Sequence, residues 1–243
     1  MTDMQILMNA QMVQATLREI QQAGTGKSQT RRLLDPQPKD GFLSCTWNGN
    51  GWDWVGPGFG PGDESKAPSF HPGMRLWVRE AWQAHSWASD CVTIRYRAEE
   101  KLVGFTEQIE QIPYPDGDKN KFKFYEPKPG KWRPSLHMPR WASRITLEVT
   151  DVRVQRLQEI SEADAWAEGC KRGDPHENGG YWPAEEKHPN VGWIGWNDAR
   201  MWFSDLWDGI YQSPEKQWDA NPWVVAITFR PHLCNIDKME KAG

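Results

Sequence analysis

No two of the four cysteines, Cys45, Cys91, Cys170 and Cys234, form a CxxC pair. That spacing argues against a finger-type zinc site and leaves free thiols in a reducing cytoplasm as the default. The six histidines are scattered as well, with no HExxH and no HxH. No stretch approaches the ~18 apolar residues of a membrane span. Nor does the start of the chain show the basic segment and apolar run of a secretory signal. A cytoplasmic protein without membrane partners is therefore expected. Positive charge is also short: 29 basic residues face 33 acidic ones, a formal net charge of −4. A protein that coats long nucleic acid carries a basic excess. Contact with nucleic acid is thus limited to a local patch or a small nucleoside, and DNA is not an expected partner.

Tryptophan is the residue present in excess, with 16 among 243. Most should serve as core, because the side chain is large and usually mostly buried. Some can wall a pocket for a planar ligand, where stacking on a base contributes ~1–3 kcal/mol. Helical spacing of Val13, Leu17 and Ile20 predicts a helix over 11–22, stopped by Gly24. Strands are expected over 76–82 and 92–98, paired with each other, then over 145–154 and 223–229. Ser161 caps a predicted helix that runs to Glu168 and stops at Gly169, with Asp164 as a capping-box-like partner. A further helix over 198–211 places Met201, Trp202, Leu206 and Ile210 on one face. The order predicts an α+β fold with a mixed or barrel-like sheet. It reads as a single domain over 1–243, with loop insertions near 36–72, 105–131 and 171–197 and a frayed tail over 232–243.

Chemistry concentrates in Gly24-Thr25-Gly26-Lys27-Ser28-Gln29-Thr30-Arg31-Arg32. An amine, a hydroxyl and two guanidinium groups follow directly on a helix end. Gly26-Lys27-Ser28 resembles the end of a P-loop, but that pattern needs a glycine where Gln21 stands. Two arginines then follow in place of an apolar helix. The remaining plain reading is a solvated basic turn.

Together with three further stretches, this segment resembles the ASCH-domain family, in the longer form found in phages and prophages. The stretches are Pro72-Gly73-Met74-Arg75-Leu76-Trp77-Val78-Arg79-Glu80, residues 132–145, and Ile160-Ser161-Glu162-Ala163-Asp164-Ala165-Trp166-Ala167-Glu168-Gly169 closed by Asn221-Pro222-Trp223-Val224. They cover roughly half of the chain. Met74 stands where the family often has an acidic residue. The resemblance implies a PUA-like mixed β-barrel flanked by helices. It also implies an amidohydrolase acting on N4-acetylcytidine or a related N4-acylated cytosine, using Lys27, Thr30 and Glu168 and needing neither metal nor cofactor. For the glutamate, Glu162 and Glu159 are the competing positions. Arg31, Arg32, Trp77, Arg79 and Trp141 are the implied substrate-binding residues, with a small nucleoside as substrate and RNA as the alternative partner. The host cytoplasm would be bacterial. Rival readings are a non-enzymatic RNA-binding module and a ribonuclease, the latter without an obvious carboxylate cluster.

The implied chemistry makes demands on each group. A threonine hydroxyl attacks a carbonyl only when a base removes its proton. Lys27 can be that base only with its pKa lowered from ~10.4 by burial or neighbouring positive charge, which Arg31 and Arg32 could supply. Glu168 in contact with the amine would act in the opposite direction. It would serve as a proton relay to the leaving nitrogen or hold Thr30. Each residue also has a plain structural reading: Glu168 ending a solvated helix, Thr30 bonding backbone in a strand.

Overall fold

The computed structural model of the chain describes residues 3–38, 41–56, 68–87, 91–98, 110–113, 131–188, 190 and 192–239. Its elements, in chain order, are β1 (Asp3–Leu7), α1 (Ala10–Gln21), β2 (Gln29–Leu33), β3 (Ser44–Trp47), β4 (Trp52–Val55), β5 (Arg75–Arg79), β6 (Trp82–Trp87), β7 (Cys91–Tyr96) and β8 (Glu110–Pro113). After these come β9 (Thr146–Arg156), α2 (Glu162–Ala167), β10 (Arg172–Pro175), β11 (Tyr181–Pro183), β12 (Glu186–His188), β13 (Gly192–Ile194), α3 (Ala199–Ile210) and β14 (Trp223–His232). The class is α+β, with mostly strand and few helices. Among the described residues, no helix is long and apolar enough to cross a membrane.

The principal sheet has the order β1-β5-β9-β14-β2. The strand β1, which the sequence reading did not anticipate, runs parallel to β5 with Asp3 opposite Arg75. The chain divides into two compact units: residues 1–17, 75–148 and 231–243 form one, and 18–74 with 149–230 form the other.

In the first unit, the run Leu76–Trp82, expected as one strand, is two. β5 stops at Arg79, and β6 opens at Trp82. The expected partner of 92–98 therefore changes. β7 pairs antiparallel with β6, Trp82 opposite Tyr96, while β5 pairs with β9. Trp82, Ala84, Ile94, Tyr96, Met138 and Ala142 are buried together, with Trp141 packed against them. The tail expected to fray over 232–243 is described as far as Met239, and it is held there. Ile236 is buried, Asn235 Nδ2 donates to the Ser143 carbonyl at 2.6 Å, and Asp237 pairs with Arg140 at 2.7 Å.

In the second unit a side chain caps each of two helix starts, the expected one at Ser161 and another at Asp198. Ser161 Oγ accepts from Asp164 N at 3.0 Å, and Asp198 Oδ1 accepts from Met201 N at 2.7 Å, each satisfying an orphan donor of the first turn. On α3 the buried face is Ala199, Trp202, Phe203 and Trp207, with Leu206 half-buried. The expected face included Met201 and Ile210, which are 47% and 43% exposed. The residues at i, i+3, i+4, i+7 and i+8 define the actual stripe. They pack on Leu157, Ile160, Ala165 and Val224. Two of the expected loops contain hairpins: β3–β4 within 36–72, and β10–β11 and β12–β13 within 171–197. Of 105–131, only 110–113 and Lys131 fall within the described residues.

Trp207→Ala should lower the unfolding free energy by about 3–5 kcal/mol, the usual result of emptying a buried aromatic site. Met201→Ala, on the outward face, should stay within about 0.5 kcal/mol. Urea unfolding of the two variants checks which face of α3 is buried.

Candidate active site

A turn and a strand deliver the lysine. After α1, the Glu19 carboxylate accepts from the backbone N–H of Gly24 and Gly26, both at 2.9 Å, and Gly24 takes φ +80° to round the corner. The chain then docks on the end of α2. Ser28 N donates to the Ala167 carbonyl at 2.9 Å, and Lys27 forms an isolated antiparallel bridge with Glu168. Glu168 is the C-cap of α2, and Gly169 leaves the helix at φ +105°, a conformation glycine adopts without a Cβ clash.

Lys27 Nζ donates to Glu168 twice: to its carboxylate Oε2 at 2.6 Å and to its backbone carbonyl at 2.8 Å. The second bond satisfies a carbonyl that the helix end leaves unpaired. Lys27 is 0% and Glu168 4% exposed. This is a desolvated ion pair joining residues 141 positions apart.

The other carboxylate oxygen belongs to Arg31. Its Nη1 donates to Glu168 Oε1 at 3.0 Å and to Gln29 Oε1 at 2.6 Å, and its Nη2 reaches Asp164 Oδ2 at 3.0 Å. Gln29 Nε2 in turn donates to Asp164 Oδ1 and to Thr228 Oγ1, both at 3.1 Å. Arg153 closes the outer side, with Nη2 at 3.2 Å from Asp164 Oδ2. Arg31 also lies over the Phe203 ring, 5.7 Å from its centroid.

Gln29 and Arg31 share one face of β2, as residues two apart in a strand must. Thr30 and Arg32 project from the opposite face. There, Arg32 Nη1 donates to Thr30 Oγ1 at 2.9 Å. Thr30 is 0% exposed, whereas Arg32 is half-buried. Thr30 pairs with Ile227 of β14, and its hydroxyl accepts from a guanidinium, where the plain reading had it bonded to backbone.

The second unit therefore gathers Lys27 and Arg31 on the two carboxylate oxygens of Glu168, whereas Thr30 and Arg32 meet each other on the opposite face of β2. Trp77, Arg79 and Trp141 belong to the first unit and have partners there. Arg79 lies over Trp77 at 5.4 Å and donates Nε to the Ser135 carbonyl at 3.1 Å. Trp141 meets Trp82 edge-on at 6.2 Å.

The competing glutamates are committed elsewhere. Glu162 accepts from the backbone N–H of Ala199 at 2.9 Å and Arg200 at 3.2 Å, capping α3. Glu159 Oε2 accepts from Arg156 N at 3.0 Å within its own turn. Gln29, Asp164 and Arg153 were not singled out from sequence as site residues. One signal for Asp164 was present: Asp164 and Glu168 stand at i and i+4 on one helix, a like-charge pair that repels unless a cation enters between them. Arg31 is that cation.

Burial pushes the Lys27 amine below its ordinary pKa. Glu168 opposes this, and Arg32 and Arg31 reinforce it. Burial likewise lowers Arg32, against the pull of Glu168 and Tyr211. For Asp164, burial works to raise the carboxyl, but Arg153 and Arg31, with hydrogen bonds from Gln29 and Arg153, outweigh it and hold the group below its usual range. Among the described residues, no group of three His, Cys, Asp or Glu side chains could hold a metal ion.

No family model, curated protein or solved structure matches the chain.

Two outcomes follow from the network. Lys27→Met and Glu168→Gln should each cost about 3 kcal/mol or more, because a buried partner is removed. The double variant should cost clearly less than the sum of the two, which a double-mutant cycle by chemical denaturation measures. For Asp164, the folded-state pKa lies below the ordinary 3.8, so its ionised form contributes stability above that value and loses it as pH falls through the lowered one. Asp164→Asn should therefore melt below the parent protein at neutral pH, and the gap should close under acid.

Proposed function

We propose that the chain is a metal-independent amidohydrolase that removes the acyl group from N4-acetylcytidine or a related N4-acylated cytosine nucleoside, on an ASCH-type, PUA-like fold. The observation that carries this reading is the wholly buried contact of Lys27 Nζ with Glu168 Oε2 at 2.6 Å, with the Thr30 hydroxyl on the strand that starts two residues after the lysine. A buried, solvent-excluded lysine whose pKa is pushed down has the property a general base needs.

In this reaction the Thr30 oxygen attacks the acyl carbonyl, and its proton passes to the free amine of Lys27, which leaves Glu168 Oε2 and reaches round the start of β2 for this step. The Arg32 guanidinium already donates to Thr30 Oγ1, so the hydroxyl proton is left for the base and the developing alkoxide meets a positive charge. The C–N4 bond then breaks. The proton on Lys27, relayed by Glu168, goes to the departing N4, and free cytidine leaves. Water cleaves the acyl-threonine ester and releases the carboxylic acid, restoring the hydroxyl. Arg31 keeps Glu168 oriented by holding Oε1, so that Oε2 stays with the lysine. On this reading the protein is cytoplasmic and its partner is a small nucleoside.

Purified protein incubated with N4-acetylcytidine should release cytidine, and Lys27→Met should abolish the release. The acid limb of the rate profile should follow the loss of the Lys27 proton. Arg32→Gln removes a charge that lowers Lys27 and should move that limb to higher pH. Glu168→Gln removes one that raises it and should move the limb to lower pH in whatever activity remains. No turnover of any N4-acylcytosine, joined to salt-sensitive RNA binding, would replace the hydrolase with an RNA-binding module.

A further inference from the structure

A recess lies in the second unit, and none of the residues of the proposed reaction lines it. It is a groove of about 510 Å³ whose lining includes Asp174, Trp182, Pro183, Glu185, Gly195 and Trp196. That volume is within the ordinary range for a ligand site. Two hairpins build it. The pair β10–β11 supplies Asp174 and Trp182, and Glu185 and Gly195 flank the pair β12–β13 at its open end, one position beyond the Glu186–Ile194 pairing.

The two aromatic walls are fixed. Trp196 Nε1 donates to Asp205 Oδ2 of α3 at 2.7 Å, and the Trp182 ring rests 5.2 Å from that of His176. Trp182 nevertheless remains 46% exposed. Gly195 leaves its backbone bare beneath the Glu185 side chain; a Cβ placed there would sit 3.5 Å from Glu185 Cγ and Oε1. The groove is thus a slot lined by two indoles and bare backbone, with carboxylates at its side.

Its charge is of one sign. Asp174 and Glu185 are the ionisable residues of the lining. Among the described residues, neither has a hydrogen-bond or ion-pair partner. Nearby groups are already engaged. Glu186 accepts from Trp202 Nε1, and Asp205 holds Trp196. The Arg172 guanidinium donates to the Gly24 carbonyl and lies over Tyr181. Two free carboxylates beside two indoles attract a cation and repel a phosphate backbone. Of the biological cations, guanidinium fits best, because it is planar, stacks on an aromatic face and donates in a fork to a carboxylate. Since Asp174, Trp182 and Glu185 are exposed, the slot is open enough for an extended chain to lie in it.

We infer that this groove is a docking site for an arginine side chain presented by a peptide segment of a partner protein. The site is independent of the deacylation reaction and stands whether or not the chain is a hydrolase.

Calorimetric titration of the full chain with two synthetic peptides tests it. One is an acetylated, amidated Gly-Arg-Gly-Arg-Gly, and the other has citrulline, its neutral isostere, at both arginine positions. The arginine peptide should bind saturably at one site, and the citrulline peptide at least about tenfold more weakly. Combining Asp174→Asn with Glu185→Gln should produce a loss of similar size, as should Trp182→Ala. Gly195→Leu keeps both carboxylates but fills the slot, and it should abolish binding while the thermal unfolding midpoint is maintained. Equal binding of the two peptides overturns the proposal. So does arginine-peptide binding that survives both the double carboxylate substitution and Trp182→Ala, or no binding at about 1 mM peptide. Preferential binding of an oligouridylate, lost with Trp182→Ala, would assign the groove to single-stranded RNA instead.

Discussion

The salt bridge between Lys27 and Glu168 is the interaction on which the second unit is organised. It joins the start of β2 to the end of α2 across most of the chain length, and both groups are out of water. An isolated ion in that position would cost several kcal/mol. The arrangement is tolerable because it is nearly complete in partners. Lys27 and Arg31 supply two cations and Glu168 and Asp164 two carboxylates, and Gln29 accepts from Arg31 Nη1 and donates to Asp164 Oδ1, which leaves Arg31 Nε as the guanidinium nitrogen buried without a partner among the described residues. Arg153 adds the outer cation, on the side where Asp164 approaches solvent.

A balanced cluster of this kind does more than hold two elements together. Burial and the two arginines favour the free amine of Lys27, while Glu168 favours its ammonium. Groups whose environments oppose one another in this way are well suited to exchanging a proton, which is why such clusters recur at reactive sites as well as structural ones. The two faces of β2 divide the work. One carries the charge network that grips α2, and the other carries Thr30 beneath Arg32. Because side chains alternate along a strand, adjacent residues of one short motif can serve these separate purposes.

Local signals were legible where a single residue type has one dominant use. Ser161 as a helix cap, Gly24 and Gly169 as helix ends, and the long strand that became β9 all follow from backbone chemistry over three or four residues. The sequence misleads where a choice depends on distant partners. Leu76–Trp82 looks continuous in hydrophobicity, yet its two ends pair with different strands. Met201 and Ile210 are apolar enough for a core face, but α3 turns Phe203 and Trp207 inward because the surface formed by Leu157, Ile160 and Val224 lies on that side. Asp164 fits a capping box from its spacing to Ser161. Only its backbone N–H takes part in the cap, and its carboxylate is drawn to Arg31 by a stronger, charge-assisted bond.

By itself, the sequence determined the α+β class, the ends of its helices, and a motif rich in the groups that bond anions and move protons. It left three glutamates as candidates to meet Lys27. Tertiary structure made the choice, sending Glu162 to the backbone of α3, Glu159 to its own turn and Glu168 to the amine. The physical reason is that capping and turn bonds are set within a few residues, whereas the match of a buried charge to its counter-charge depends on which distant elements the chain brings out of water together.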